Sequence, residues 1–299
     1  MNISLCTDEK FVIPCLTCIT SILENNKDEM VHIYVLTSCL PESEIKKFHK
    51  LAALYGQEIT VTKIDINKVK GLKTCPPFPI SMYFRFLLPE ILNNQTKVLY
   101  LDCDIIVRHS LRDLYKTDLT GFSCAAVEDQ HADDILLKNN TRTQSPYFNS
   151  GVLLMNLDYW RKHNIAYQLI KFIHDNPERC IYPDQDALNI VLDGIVTYLP
   201  YSYNFQHYWS VNFHMAKISR DKHPAIKEAG KNPCIVHFCK EKPWWTICHN
   251  PYTSEFDYFN RLHSFIGKAN SHKRIKEIAY RLFNRLSMIM EGIRDKFKI

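Results

Sequence analysis

The 299-residue chain has eight glycines and no Gly-, Ser- or Pro-rich stretch, so nothing in it reads as a flexible linker. It also lacks an internal repeat. Thr7-Asp8-Glu9-Lys10, which follows the first apolar run, has none of the glycines of a phosphate-cradling loop. No apolar run approaches the roughly 20 residues that span a bilayer. The opening Met1-Asn2-Ile3-Ser4-Leu5-Cys6-Thr7-Asp8 has no basic stretch, long apolar segment or small-residue cleavage site, so no secretion signal is expected. The 11 cysteines are odd in number and scattered without a paired framework, which predicts a reducing, cytoplasmic setting. Cys15-Leu16-Thr17-Cys18 has CxxC spacing but falls in an apolar helical pattern with no second pair, and both thiols are expected in the core.

The body of the chain also lacks net charge. The formal +5 is carried by residues 268–299, with nine Lys/Arg against three Asp/Glu, whereas the remainder has 28 basic and 29 acidic residues. That balance excludes a nucleic-acid partner for the body and confines basic recognition to the tail.

What the chain does have is apolar residues, 46% of the total, ample for a packed core. Short apolar runs at 2–6, 31–36, 59–64 and 98–101 predict strands. Between them, helical periodicity over 11–23, an acidic first turn after Pro41 and a helical segment near 80–92 predict helices. Further strands are expected at 123–127 and 152–157, with helices at 164–175 and 183–192. Strands alternating with helices predict an α/β fold with a mostly parallel sheet, forming one domain over residues 1–265. Over 271–297, apolar positions at Ile275, Ile278, Leu282, Leu286, Ile289 and Ile293 are surrounded by Lys and Arg, the pattern of a basic amphipathic helix. Such a segment, counted from residue 266 to 299, is expected to lie on an anionic membrane surface.

The most telling stretch is Val98-Leu99-Tyr100-Leu101-Asp102-Cys103-Asp104-Ile105-Ile106-Val107. Two carboxylates stand at the carboxyl end of a predicted strand, where open α/β sheets bind ligands. A bend at Cys103 would let both reach one ion. Set between apolar runs, they would be costly to bury without a cation, and a hard divalent ion there would neutralise a phosphate, making a nucleotide the first ligand to consider. A second ligand candidate is His237, at the end of Cys234-Ile235-Val236-His237, with Lys242 five residues on as a phosphate-binding ammonium. Plainer roles exist: a solvated turn for the acidic pair, a core histidine for His237, helix-start acids for Asp184 and Asp186 after Pro183, and a turn before a strand for Asn149-Ser150-Gly151.

Six segments occur together in order: Asp8 after the first strand, Met82-Tyr83-Phe84-Arg85, Asp102-Cys103-Asp104, Tyr147-Phe148-Asn149-Ser150-Gly151, Pro183-Asp184-Gln185-Asp186, and His237-Phe238-Cys239 with Lys242-Pro243-Trp244. Over residues 2–250 the chain thereby resembles glycosyltransferase family 8, which contains bacterial lipopolysaccharide galactosyl- and glucosyltransferases and glycogenin. The resemblance implies a GT-A type, Rossmann-like mixed sheet, a UDP-sugar donor, Mn²⁺ (or Mg²⁺) and retention of anomeric configuration. It implies Asp102, Asp104 and His237 as metal ligands. Asp8, with Thr7, would sit at the uracil, and Cys103 would face the ribose. Arg85 and Lys242 would lie near the diphosphate and donor sugar, and Asn149, Ser150 and Asp184 would contact the sugar. Gln185 would stand closest to the anomeric carbon. Apart from the resemblance, Asp129 in Val127-Glu128-Asp129-Gln130 reads either as a contact to donor sugar or acceptor or as the residue that closes a strand. The acceptor would be a saccharide or glycolipid, reached from the inner face of the plasma membrane. In one departure, the loop after His237 is a residue shorter than the glycine-containing form common in bacterial members.

Other readings fit less well. A haloacid dehalogenase-like phosphatase also uses Asp-x-Asp, but usually has Thr or Val where this chain has Ile106. A nucleotide-sugar pyrophosphorylase needs the glycine-rich loop missing after residue 6. A non-catalytic glycan-binding module leaves both acids, His237 and Gln185 unexplained.

Overall fold

The protein is described from a computed structural model covering residues 1–74, 79–131, 143–206, 219–245, 248 and 250–269. The described strands are β1 (Asn2–Cys6), β2 (His32–Thr37), β3 (Glu58–Lys63), β4 (Lys97–Leu101), β5 (Ile105–Val107), β6 (Cys124–Glu128), β7 (Phe148–Asn156), β8 (Val196–Tyr198) and β9 (Ile235–His237). Seven form one sheet in the order β3-β2-β1-β4-β7-β6-β8, while β5 and β9 pair separately and antiparallel. Six of the seven strands run parallel, and β7 alone is antiparallel to both neighbours, β4 and β6. The fold is therefore the mixed α/β sheet expected.

The helices used below are α1 (Val12–Glu24), α2 (Glu42–Tyr55), α3 (Leu157–Lys162), α4 (Ile165–Asp175), α5 (Pro183–Val191), α6 (His223–Lys231) and α7 (Thr253–Leu262). Side chains alternate across each strand, so the sheet has two apolar faces. Leu99 and Leu101 of β4 join Ile3, Leu5, Ile33 and Val35 in a core shared with α1 and α2. Val98 and Tyr100 point the other way, into a second core with Leu157, Trp160, Leu169 and Leu188 of α3, α4 and α5. Cys15 and Cys18 are buried in α1, as their apolar pattern implied. α7 packs on α1, and Ile266 closes the first core.

Three elements differ from expectation. The segment 80–92 is not one helix but a 3₁₀ stretch, Ile80–Leu87, followed by a single α-turn, Leu88–Ile91. Pro89 has no N–H to return to the Arg85 carbonyl, so a continuous helix is interrupted there; Leu88 N bonds that carbonyl instead. β7 begins at Phe148, four residues before the expected strand, and the three-residue β8 was not anticipated. The basic helix expected over 271–297 lies outside the described residues. Among the described residues, no helix is long and apolar enough to cross a membrane.

Candidate active site

The site forms where strand ends meet. β1, β4 and β6 present their carboxyl ends at one edge of the sheet, and the reversal of β7 brings its first residues to that same edge. Thr7 and Asp8 follow β1, Asp102 follows β4, Asp129 follows β6, and Asn149 and Ser150 open β7. The amide of Asp102 donates to the Gly151 carbonyl at 2.9 Å, closing the edge.

The chain bends after Leu101 and resumes at Ile105, so Asp102-Cys103-Asp104 is a turn between β4 and β5. β5 pairs with β9 in the register Ile105 to His237, which delivers the imidazole to the acidic turn. His237 Nε2 lies 3.2 Å from Asp104 Oδ1 and 3.8 Å from Asp102 Oδ2, and one ligand atom from each of the three residues falls within 4.8 Å of the others. Two carboxylates and one imidazole are a donor set that could hold a divalent metal ion. Gly151 is the floor of this cluster: a Cβ there would overlap the His237 ring and stand 2.8 Å from Asp102 Oδ2. Lys242 bonds Asp104 Oδ2 and donates to the Phe238 carbonyl at 2.6 Å. Burial alone would raise the Asp104 pKa, but the Lys242 ammonium and His237 outweigh it and hold the carboxyl well below its usual range.

Arg85 is buried beneath the acidic turn. It donates from Nη2 to Asp102 Oδ1 at 3.0 Å and from Nη1 to the Ser150 carbonyl at 2.7 Å, and Nη1 lies 3.2 Å from Asp184 Oδ2. Its guanidinium lies over the Tyr100 ring, whose hydroxyl donates to the same Asp102 oxygen at 2.7 Å. Arg85 thus ties Asp102 to Asp184.

Asp184 and Gln185 occupy the first turn of α5, where Pro183 starts the helix. Ser150 Oγ donates to Asp184 Oδ2 at 3.0 Å. Gln185 is held at both ends: its Oε1 accepts from Ser150 N at 3.0 Å and Asn149 Nδ2 at 3.2 Å, and its Nε2 donates to Asp129 Oδ2 at 3.1 Å. Asn149 Nδ2 also donates to Asp129 Oδ2 at 3.0 Å. Burial pushes the carboxyls of Asp129 and Asp184 above their ordinary value. For Asp129 the bonds from Asn149, His131 N and Gln185 offset only part of this. For Asp184 the Arg85 charge opposes it. Asp186, in the same turn, is wholly buried and accepts from the Tyr147 hydroxyl at 2.6 Å and Tyr182 N at 2.7 Å, a structural role in keeping with a helix-start acid.

The remaining expected residues are at the rim. Asp8 caps the short turn after β1, its Oδ1 accepting from Lys10 N and Phe11 N at 2.9 and 3.1 Å. Thr7 is buried, and Cys103 donates from Sγ to the Cys6 carbonyl at 3.1 Å. Three residues of the site were not picked out as functional residues from the sequence. Tyr100 read only as a strand residue, and Gly151 as part of a turn. Asn204, fully buried in the loop before Phe205, bridges His237 Nδ1 (3.0 Å) and Asn149 Oδ1 (2.9 Å) across long sequence separations.

Residues 2–248 match the sequence profile of Glycosyl transferase family 8. General stress protein A of Bacillus subtilis is 27% identical over 265 residues, covering 87% of this chain and 92% of its own. The lipopolysaccharide 1,3-galactosyltransferase of Salmonella typhimurium is 28% identical over 253 residues, covering 81% and 72%. Among solved structures, the galactosyltransferase LgtC in complex with donor and acceptor sugar analogs superimposes with a TM-score of 0.76 at 25% identity, covering 87% of this chain and 95% of that one.

Proposed function

The chain belongs to glycosyltransferase family 8, and from that premise we propose that it transfers galactose or glucose from a UDP-sugar to a saccharide acceptor, with retention of anomeric configuration. Its relatives include lipopolysaccharide galactosyl- and glucosyltransferases, and a lipopolysaccharide or other surface glycan is the acceptor class that follows. The observation that carries the reading is the convergence of Asp102, Asp104 and His237 at the carboxyl edge of the sheet.

In this reading Asp102, Asp104 and His237 hold Mn²⁺ or Mg²⁺. When bound, the ion supplies Lewis-acid neutralisation of the diphosphate leaving group. Lys242 adds a fixed positive charge beside it. Thr7, Asp8 and the backbone of Cys103 take the nucleoside, with Asp8 at the uracil. Arg85 fixes the Asp102 carboxylate and, through Asp184, the sugar side of the site. Asn149, Ser150 and Asp184 bind the donor sugar, and Asp129 orients Gln185 and meets the sugar or acceptor. Gln185 stands at the anomeric carbon. A neutral amide oxygen already accepting two N–H bonds is a poor covalent nucleophile but a suitable dipole for positive charge on the ring. This favours attack of the acceptor on the same face from which the diphosphate leaves, with a phosphate oxygen taking the acceptor proton.

The test is hydrolysis and transfer with UDP-Gal, UDP-Glc, UDP-GlcNAc and GDP-Man, with and without Mn²⁺. Metal-dependent turnover of a UDP-hexose is expected; metal-independent turnover, or none with any UDP-sugar, contradicts the reading.

The charge of residues 268–299 supports a second element, peripheral attachment of a 1–265 catalytic domain to the inner face of the plasma membrane. Replacing Lys273, Arg274, Lys276, Arg281, Arg285, Arg294 and Lys296 by Gln should release the protein from phosphatidylglycerol vesicles while sparing UDP-sugar hydrolysis. Unchanged sedimentation with vesicles would refute it.

A further inference from the structure

Asn204 lies in neither the acidic turn nor α5, yet it touches both halves of the site. Its Nδ2 is 2.9 Å from Asn149 Oδ1, and its Oδ1 is 3.0 Å from His237 Nδ1. Which end of the amide faces which neighbour is not free. The backbone N–H of Gly151 donates to Asn149 Oδ1 at 3.0 Å, and Asn149 Nδ2 donates to the Asp129 carboxylate and to the Gln185 carbonyl oxygen. Asn149 Oδ1 is therefore an acceptor, and the Asn204 atom facing it is the NH₂ donor. The opposite end of the Asn204 amide is its carbonyl oxygen, which can only accept. His237 Nδ1 must supply the proton, so Nε2 is the ring nitrogen turned toward Asp102 Oδ2 and Asp104 Oδ1 and the one that would take a cation.

We propose that Asn204 is the positioning residue for the His237 ligand: it holds the ring as the Nδ1–H tautomer, with Nε2 free to coordinate a divalent cation. The inference rests on the metal reading above and deepens it. Its consequence is a wired link: the backbone amide of Gly151 fixes Asn149, Asn149 fixes Asn204, and Asn204 fixes the imidazole. The same Asn149 amide bonds Gln185, so the cation pole and the sugar pole of the site share one hydrogen-bonded chain. A ring that donates its second nitrogen to an oxygen acceptor is also the more basic ligand.

Asn204→Leu keeps the approximate volume and removes both bonds. Asn204→Asp keeps an acceptor for Nδ1–H and removes the donor to Asn149. Mn²⁺ binding is measured by calorimetry or by loss of the free Mn²⁺ resonance signal, with melting curves recorded for every protein. The expected result is a fall in Mn²⁺ affinity of about 10–100-fold in Asn204→Leu, with Asn204→Asp within a few-fold of wild type. Wild-type affinity in Asn204→Leu overturns the inference while leaving the metal reading standing. Equal loss in both folded variants also overturns it, because packing rather than an acceptor at Nδ1 would then be the cause. Failure of the wild type itself to bind Mn²⁺ removes the metal reading, and this inference with it.

Discussion

Gly151 lies directly against His237: a single added methyl would overlap the imidazole and press on the Asp102 carboxylate at 2.8 Å. The residue is a structural part of the candidate cation site although it offers no ligand atom. Its N–H and carbonyl are both engaged, by Asn149 Oδ1 and Asp102 N, so the backbone has little room to withdraw.

Gly151→Ala should therefore fold with a penalty of about 1–3 kcal/mol, typical of overpacking, and should weaken Mn²⁺ binding by displacing His237. Denaturant melts and Mn²⁺ titration check both. An alanine variant with unchanged metal affinity would show that the ring relaxes without cost.

Arg85→Met should be among the most destabilising changes in the protein. The guanidinium joins Asp102 to Asp184 with only 4% of its side chain exposed, and its loss strands two carboxylates, one of them deeply buried. Removing one partner of a buried pair costs about 3–5 kcal/mol. Arg85→Lys should recover only part of this, because one ammonium does not match the planar fork that reaches both acids. Equilibrium urea unfolding gives the measurement; a loss below about 1 kcal/mol for Arg85→Met would contradict the bridging role.

Asp129 should leave a signature in the pH dependence of stability. Burial raises its carboxyl above the ordinary 3.8 in the folded state, so the native protein binds that proton more tightly than the unfolded chain. Its contribution to stability is then fully present below the ordinary value and is lost as pH rises through the raised one. Asp129→Asn should flatten the decline in melting temperature on that upward passage relative to wild type. Parallel melting curves across mildly acidic pH would refute the assignment.

Much of this architecture was legible locally. Strand and helix periods fixed β1 to β4, α1, α2, α4 and α5 to within a few residues, because each element's burial pattern is written in consecutive side chains. Asp102-Cys103-Asp104 was legible for the same reason, as polar residues interrupting an apolar run. The start of β7 was not. Asn149, Ser150 and Gly151 are poor strand formers and read as a turn, but Asn149 pairs with Val127 of β6, Ser150 and Gly151 take up the register irregularity that follows, and the Gly151 carbonyl accepts from Asp102 N. The three-residue β8 is too short for alternation to register. Asn204, the Arg85 bridge and the Gly151 contact depend on residues 17 to 99 positions away, and only packing reveals them.

The most direct test of the central claim is the Mn²⁺ dependence of UDP-hexose hydrolysis in Asp102→Asn. The amide oxygen of asparagine can keep the bonds from Tyr100 and Arg85 that Asp102 Oδ1 now accepts, so the fold should survive with a near-native melt. With one anionic ligand gone, metal-stimulated hydrolysis should fall to background. A folded Asp102→Asn protein that cleaves a UDP-hexose at close to the wild-type rate, with the same Mn²⁺ dependence, would contradict the assignment of Asp102, Asp104 and His237 as the cation site.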